Sequence, residues 1–391
     1  MKIKDICTSV TDGSHNPPQG IDNSKYIMLS SKNVFDDKIT FDEPRFLSEE
    51  DFKREHKRTK ISVGDVLLTI VGTVGRTAVV DEDMPSFALQ RSVAVLHPKP
   101  DVCLPRFLMY ALRGKRPFIE NRAKGVAQKG IYLKEVSDID VQIPDILDQE
   151  MIINQLDKVN TIVKFRQEEL FALDDLIKAR FVEMFGDARK NPNKYDTVSF
   201  IDIVEYMGDI GSNGANKVVV DHLDMKDKED YAMMVRFTNF TKNDFTDDVK
   251  YVSKEAYDFF KKSQIFGGEL IICKIGSAGQ NYVMPYLNRP VSLGLNQIMV
   301  RIKDNILMPY LYQYLHTDYG EFLISRCING AVTKTITKTE LKKIPVMLPP
   351  MELQREFVAF VEQVDKSKVA VQKALDETQK LFNSLMQQYF G

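Results

Sequence analysis

The residues of this chain that come nearest to a catalytic motif are Asn16-Pro17-Pro18-Gln19. An Asn-Pro-Pro loop followed by an aromatic residue can hold an exocyclic amino group for methyl transfer, with the ring stacked on an extruded base. Gln19 stands where the ring is needed, the loop does not follow a strand, and no glycine-rich cofactor site precedes it. The chemistry is therefore not supported. Gly72-Thr73-Val74-Gly75 and Gly276-Ser277-Ala278-Gly279 resemble phosphate-cradling loops only loosely, since neither belongs to a GxxxxGK[ST] or a full GxGxxG pattern. Their recurrence in both halves of the chain favours a structural turn after a strand. The five histidines (His15, His56, His97, His222, His316) show no metal-ligand spacing, and Asp81-Glu82-Asp83 reads as a solvated turn. His15 lies in the polar loop 11–18, where it could be exposed and touch a ligand. The four cysteines (Cys7, Cys103, Cys273, Cys327) are scattered without a CxxC, which suggests reduced, buried thiols and neither disulfides nor zinc. No Ser/His/Asp or Cys/His set can be assembled. A binding or scaffolding role follows by elimination.

Composition narrows the class of that role. The chain is 391 residues long, 43% hydrophobic and 28% charged, which suits two or three globular domains and not a disordered polymer. No apolar run approaches the roughly 20 residues a membrane span needs. The N-terminal stretch MKIKDICTSVTDG lacks the apolar core of a signal peptide, so the expected compartment is the cytoplasm. The formal net charge is −2, so a nucleic-acid binder of this composition must concentrate its cations locally. Two places do so: the run Lys53-Arg54-Glu55-His56-Lys57-Arg58-Thr59-Lys60, and the scattered set Arg113, Lys115, Arg116, Arg122, Lys124 and Lys129. Either reads equally as a solvated face.

The elements that must position such residues emerge from an internal repeat. The stretch 64–75, GDVLLTIVGTVG, returns 204 residues later as 268–279, GELIICKIGSAG. RFLSEEDF at 45–52 returns as KYVSKEAY at 250–257, and GVAQKGI at 125–131 as GAVTKTI at 330–336. Leu104-Pro105 returns as Met308-Pro309, while Ile143-Pro144 and Gln149 return as Leu348-Pro349 and Gln354. A near-constant offset over independent segments marks a duplicated domain pair.

Each copy ends in a long stretch without proline or glycine, 149–185 and 354–390. Alternating steps of three and four residues give Leu156, Val159, Val163, Arg166, Leu170, Leu173, Ile177, Arg180 and Met184 in the first. The same register gives Val361, Val364, Lys368, Val371, Leu375, Thr378, Phe382, Leu385 and Tyr389 in the second. Seven of nine are apolar in each, the narrow seam of a coiled-coil helix. Such a helix is roughly 50 Å long, and its seam needs a partner. Pairing the two copies about an approximate twofold axis makes the pair antiparallel. Between the helices, short apolar runs (66–71, 93–96, 270–275, 298–302) read as buried strands, and 105–111 and 309–315 as short helices. Each globule is therefore expected to be α+β.

This layout resembles the specificity subunit of type I restriction-modification enzymes. The resemblance spans essentially the whole chain. It rests on the globule-helix-globule-helix duplication, the Thr11-Asp12-Gly13-Ser14-His15-Asn16 loop, the strand-turn motif at 64–68 with its twin at 268–272, and the signatures Ile143-Pro144 to Gln149 and LPPMELQRE at 348–356. The second half departs at 209–214, DIGSNG, as expected if that loop varies with the DNA sequence read. The resemblance implies two duplicated, α/β-mixed target-recognition domains separated by two long helices, paired as an antiparallel coiled coil with pseudo-twofold symmetry. The corresponding boundaries are 1–147 and 187–350 for the recognition domains, and 148–186 and 351–391 for the helices. It further implies a non-catalytic subunit in which each domain reads one half of a bipartite, asymmetric site in double-stranded DNA, while the helices fix the spacer. Two methyltransferase subunits and two restriction/translocase subunits would be its partners. S-adenosylmethionine, ATP and Mg would sit on those partners, with no cofactor or metal in this chain and no membrane involved.

Under that resemblance the candidates for DNA contact lie in polar loops. In the first domain they are Ser14, His15, Asn16, Lys32, Asn33, Arg76, Gln90, Arg91, Lys124, Gln128 and Lys129. In the second they are Ser212, Asn213, Lys217, Arg236, Asn239, Lys274, Gln280, Asn281, Asn296, Gln297, Lys334 and Lys338. Amides can grip adenine bidentately, and Arg or Lys can grip guanine. Any one of them also reads as a satisfied turn or surface residue. Lys129 and Lys334 stand out because both halves keep a basic residue there. Gln90 and Asn296 stand out as amides aligned in one register, Leu89-Gln90-Arg91 against Leu295-Asn296-Gln297. Two other readings stay open: a fused restriction-methylation enzyme, opposed by the missing motifs, and a protein-protein adaptor that does not touch DNA.

Overall fold

A computed structural model describes residues 1–125 and 129–391. The chain forms two compact units, one built from Met1–Glu168 with Gln372–Gly391, the other from Glu169–Val371.

In the first unit a four-stranded antiparallel sheet runs in the order Cys7–Asp12, Val93–Pro98, Val66–Thr69, Thr77–Val79. Val66, Leu67, Leu68 and Val93 to Leu96 are fully buried, because the sheet is covered on both faces. The apolar run predicted to continue to Val71 leaves the sheet after Thr69. The turn behind it needs Gly72 and Gly75 at φ +82° and +93°, a conformation in which glycine carries no Cβ penalty. A second sheet pairs Ile27–Leu29 parallel with Phe87–Leu89 and antiparallel with Arg45–Phe46. The basic run forms the helix Glu49–Thr59, capped by Ser48, whose Oγ accepts the Asp51 N–H at 3.1 Å. Much of its charge is met by acids: Lys53 by Glu49 at 2.6 Å, Arg54 by Asp51 at 2.6 Å and Arg58 by Asp12 at 2.9 Å.

The second unit repeats the plan. Its antiparallel sheet has the order Val204–Gly208, Gln297–Ile302, Leu270–Cys273, Asn281–Val283. Its other sheet again carries one parallel pair, Ala232–Val235 with Val291–Leu293. Even the irregularity recurs: the first strand slips register between Cys7 and Ser9 in one unit and between Val204 and Tyr206 in the other. The predicted short helices are present as Pro105–Gly114 and Met308–Leu315.

The long helices are Ile146–Phe185 and Met351–Phe390, each opening one turn ahead of the stretches read at 149–185 and 354–390, with the second starting at its expected boundary, 351. The added turn places Gln149 and Gln354 inside the helix, with both side chains fully buried. Gln149 Oε1 accepts the Leu104 N–H at 2.8 Å, and Nε2 donates to Val102 O and Pro144 O, both at 2.9 Å. Gln354 repeats this with Leu307 N at 2.9 Å, Pro349 O at 2.9 Å and Asn305 O at 3.5 Å. Each buried amide is thus satisfied by backbone. Every residue of the two predicted seams is buried or half-buried. Within the first unit Tyr389 donates to Gln155 Oε1 at 2.6 Å, while Val163 and Gln167 share a groove with Gln379 and Phe382. Within the second, Asp174 meets Lys368 at 2.5 Å and Arg180 meets Glu356 at 2.8 Å. As numbering rises on one helix it falls on its partner, so the pairing is antiparallel in both units. Among the described residues no helix is long and apolar enough to cross a membrane.

Candidate nucleic-acid interface

Backbone hydrogen bonds draw the polar loops of the first unit to one end of its sheets. Ser14 N donates to Leu89 O at 2.7 Å and Arg91 N to Ser14 O at 2.9 Å. Gln90 N donates to Leu29 O at 2.9 Å, and Ser31 N to Ser92 Oγ at 3.0 Å. Ile70 N reaches Ser92 O at 2.9 Å, and Gly72 N reaches Lys129 O at 3.0 Å. The approach of the first loop is so close that a Cβ on Gly13 would lie 2.1 Å from Leu89 O. His15, Asn16, Lys32, Arg91, Lys124 and Lys129 are exposed on this edge, with Arg76 and Gln90 half-buried. The Arg76 guanidinium lies over the Phe35 ring, 4.9 Å from its centroid. Gln128 falls outside the described residues.

The second unit builds the same edge. Lys274 N donates to Asn296 O at 2.7 Å, Ile336 N to Lys274 O at 3.0 Å, and Gly276 N to Lys334 O at 3.1 Å. Gly276 and Lys334 thus repeat the backbone bond of Gly72 and Lys129, so the two singled-out lysines occupy equivalent, exposed places. The alignment of Gln90 with Asn296 needs correction. Leu89 and Leu293 end the equivalent strands Phe87–Leu89 and Val291–Leu293, which sets Gln90 against Gly294. The counterpart of Asn296 is Ser92, because their carbonyls accept from the equivalent donors Lys274 N and Ile70 N. The sequence comparison matched leucine to leucine and slipped by two residues.

Several candidates expected on exposed loops are turned into the domain, most of their polar atoms engaged there, while Asn281 Oδ1, Gln297 Oε1 and Arg236 Nε are buried without a hydrogen-bond partner. Asn33 is buried, accepting from Ser30 N at 3.1 Å and donating to Asp42 O at 2.9 Å. Asn239, also buried, does the same with Arg236 N at 2.9 Å and Asp244 O at 3.1 Å. The pair is a shared structural device, an amide that ties down the loop after each parallel strand. Ser14 is buried on its bridge to Gln90. Asn213 donates to Ile210 O and to Ser263 Oγ and accepts from Lys262 N. Gln297 donates to Val235 O at 3.3 Å and Asn281 to Gly279 O at 3.2 Å, both residues buried. Arg236 pairs with Asp248 at 3.2 Å. Lys217, Gln280, Asn296 and Lys334 remain exposed. Asn296 holds φ +60°, which asparagine tolerates better than most residues.

Two aspartates that carried no role in the sequence reading organise these edges. Asp12 ends the first strand of the first unit and accepts from Arg58 Nη2 at 2.9 Å, with His15 Nε2 at 2.7 Å from its other oxygen. Asp209 follows the equivalent strand of the second and accepts from Lys274 at 2.7 Å, Lys338 at 2.9 Å and Ser212 Oγ at 3.0 Å. Burial alone would raise the Asp209 carboxyl, but the two ammonium groups and the serine outweigh it and hold it at about 2. The shared Asp in TDGSHN and DIGSNG was the available signal. All four cysteines are buried and free, and burial pushes the Cys7 and Cys103 thiols up to about 12. Among the described residues no group of three or more His, Cys, Asp or Glu could hold a metal ion.

A family model described as the type I restriction modification DNA specificity domain matches residues 1–172 and 194–379. The type I restriction enzyme EcoBI specificity subunit of Escherichia coli is 27% identical over 175 residues, covering 44% of this chain and 33% of that protein. The chain thus spans about a third of that relative's length. A protein of Methanocaldococcus jannaschii described as the type I restriction enzyme MjaX specificity subunit is 21% identical over 408 residues, covering 98% of this chain and 92% of its own. Two solved structures share the fold. The type I restriction-modification S subunit from M. genitalium superposes with a TM-score of 0.54 at 14% identity, over 100% of this chain and 95% of its own. A chain from a structural study of complex assembly in the type I R-M system gives 0.52 at 16% identity, over 100% and 96%.

Proposed function

Since the chain belongs to the family of type I restriction-modification DNA specificity domains, we propose that it is the specificity subunit of such a complex and that each unit reads one half of a bipartite, asymmetric site in double-stranded DNA. The observation that carries this reading is one loop edge built twice and furnished differently. Gly72 with Lys129 and Gly276 with Lys334 keep the frame. The side chains mounted on it diverge, with His15, Asn16 and Arg91 in one unit and Lys217, Gln280 and Asn296 in the other. Duplicated frames with unlike side chains suit two unlike half-sites.

The paired helices act as the spacer. Each helix has 40 residues and is about 60 Å long, a scale able to hold two readers across successive major-groove faces about 34–36 Å apart. Exposed helix residues such as Lys158, Glu168 and Lys178 face solvent or the two methyltransferase subunits that dock there, with two restriction/translocase subunits in the full complex. Methyl transfer, translocation and cleavage belong to those partners, together with S-adenosylmethionine, ATP and Mg. This subunit is non-catalytic, and its place is the cytoplasm.

The test is binding of the full chain to a randomised duplex pool at increasing salt. A DNA reader enriches two short motifs at fixed separation, and log affinity falls steeply against log salt. A chain that enriches nothing and shows no salt slope is an adaptor between proteins. A chain that methylates the pool unaided is an enzyme, and either result overturns the proposal.

A further inference from the structure

Lys274 and Lys338 on the second unit's edge are each held at both ends. The Lys274 backbone is fixed by Asn296 O at 2.7 Å and by Ile336 N at 3.0 Å. Lys338 opens the short helix Lys338–Leu341, capped by Thr337. Their ammonium groups converge on one carboxylate: Lys274 Nζ lies 2.7 Å from Asp209 Oδ2 and Lys338 Nζ lies 2.9 Å from Oδ1. Ser212 closes the cluster, accepting from Lys338 Nζ at 3.0 Å and from Asp209 N at 3.0 Å. Asp209 is only 6% exposed, whereas the lysine side chains are 37% and 33% exposed.

An ammonium has three donors. Lys274 uses one on the carboxylate, and Lys338 uses one there and one on Ser212. Donors remain on both heads, and both side chains are partly exposed. Two ammonium groups against one carboxylate are half-neutralised, which makes them weak anchors for phosphate. Their fixed position suits them to a pair of acceptors in a defined place, since little side-chain entropy remains to be lost on contact. The guanine edge, with O6 and N7 both acceptors, offers such a pair in the major groove. Lys217 and Lys334 are exposed and, among the described residues, stand in no ion pair, so they keep full charge and mobility for the backbone.

We propose that Asp209 is a positioning residue that presents Lys274 and Lys338 as fixed donors to a guanine in the half-site read by the second unit, while Lys217 and Lys334 make phosphate contacts. This rests on the DNA-reading function proposed above. The first unit uses the same device with other partners, since Asp12 holds the Arg58 guanidinium and the His15 imidazole at the equivalent strand end. Exchanging the side chains around a constant buried aspartate would change the base read without rebuilding the fold.

The full chain is first used to select its preferred duplex from a random pool. The affinities for that duplex and for random duplex are then measured over a range of salt. Asp209→Asn keeps the shape and removes the charge. Expected is a loss of about tenfold or more in the preference for the selected duplex. Affinity for random duplex holds or rises, and the salt slope steepens by up to about one as a lysine is released to phosphate. A residue that served only folding would lower both affinities together. That result, or an unchanged preference, overturns the proposal. Lys338→Met leaves Asp209 charged and paired with Lys274. Its selected motif should lose guanine at one position, with the salt slope kept. An unaltered motif with a shallower slope would assign Lys338 to phosphate and overturn the proposal independently. If the wild-type chain selects no sequence, the DNA-reading function falls and this inference with it; failure of the variants alone leaves that function standing.

Discussion

The side-chain oxygen of Gln149 lies 2.8 Å from the backbone nitrogen of Leu104, and this contact ties the first long helix to the globule before it. Gln354 makes the same bond to Leu307 at 2.9 Å. Because both amides are fully buried, each bond lost leaves a polar group without water. Gln149→Ala should therefore destabilise the full chain by about 2–4 kcal/mol, since a donor and two acceptors lose their partner. Gln354→Ala should cost a similar amount. Denaturant unfolding of both variants checks this, and a change below about 0.5 kcal/mol, typical of a surface substitution, would contradict it.

Aromatic packing anchors the base of the helix pair in the second unit. Phe357 sits 5.6 Å from Phe181 and 5.5 Å from Phe185, centroid to centroid, with all three rings fully buried. Phe357→Ala should cost about 3–5 kcal/mol through lost burial and the cavity left behind. Phe357→Leu should recover more than half of that, as read from the unfolding midpoint.

One pair makes the units unlike in their response to pH. In the first, His97 Nδ1 lies 2.7 Å from Asp65 Oδ1; at the equivalent place in the second, Arg301 lies 3.3 Å from Glu269. The hydrogen bond to Asp65 raises the His97 imidazole, against an opposing effect of burial. A raised folded-state value contributes stability that is fully present below the ordinary histidine value, about 6.5, and is lost as pH rises through the folded value. Wild-type chain should therefore lose stability from pH 6 to pH 8 relative to His97→Gln, whose curve should be flatter in that window. Arg301→Gln should lower stability equally at both pH values, because guanidinium does not titrate there. Parallel wild-type and His97→Gln curves would remove the histidine from the account.

The spacer reading concerns the helices alone. One heptad inserted at matched positions of both helices adds about 10.5 Å. The separation between recognised half-sites should grow by about three base pairs, at 3.4 Å each, with the half-sites unchanged. Selection from a random duplex pool reads both quantities. Altered half-sites, or an unaltered separation, would refute a spacer role.

Local patterns were legible in the sequence because their physical cause is local. The two seams and the strand-turn motif each depend on residues a few positions apart, and periodicity reports them directly; the duplication shows because those local patterns return at a near-constant offset. All eighteen seam positions read in this way are buried or half-buried in the structure. The helix starts, Ile146 and Met351, lie ahead of the first seam residues, so the periodicity does not fix them.

Polar side chains were legible only as types. Asn33 and Asn239 have the composition of exposed recognition residues, yet both are satisfied by backbone and buried. The run at 53–60 looked cationic, yet acids on the same helix and Asp12 meet much of its charge. Asp209 carried no role in the sequence, yet it gathers Lys274 and Lys338, 65 and 129 residues away. A polar group can be satisfied by water, by backbone or by a distant opposite charge, and its sequence neighbours do not choose among them. The sequence alone therefore determined a repeated α+β architecture with two seamed helices. Only the tertiary structure decided which cations stand open on the loop edge and which are held, because long-range folding brings the aspartates to them.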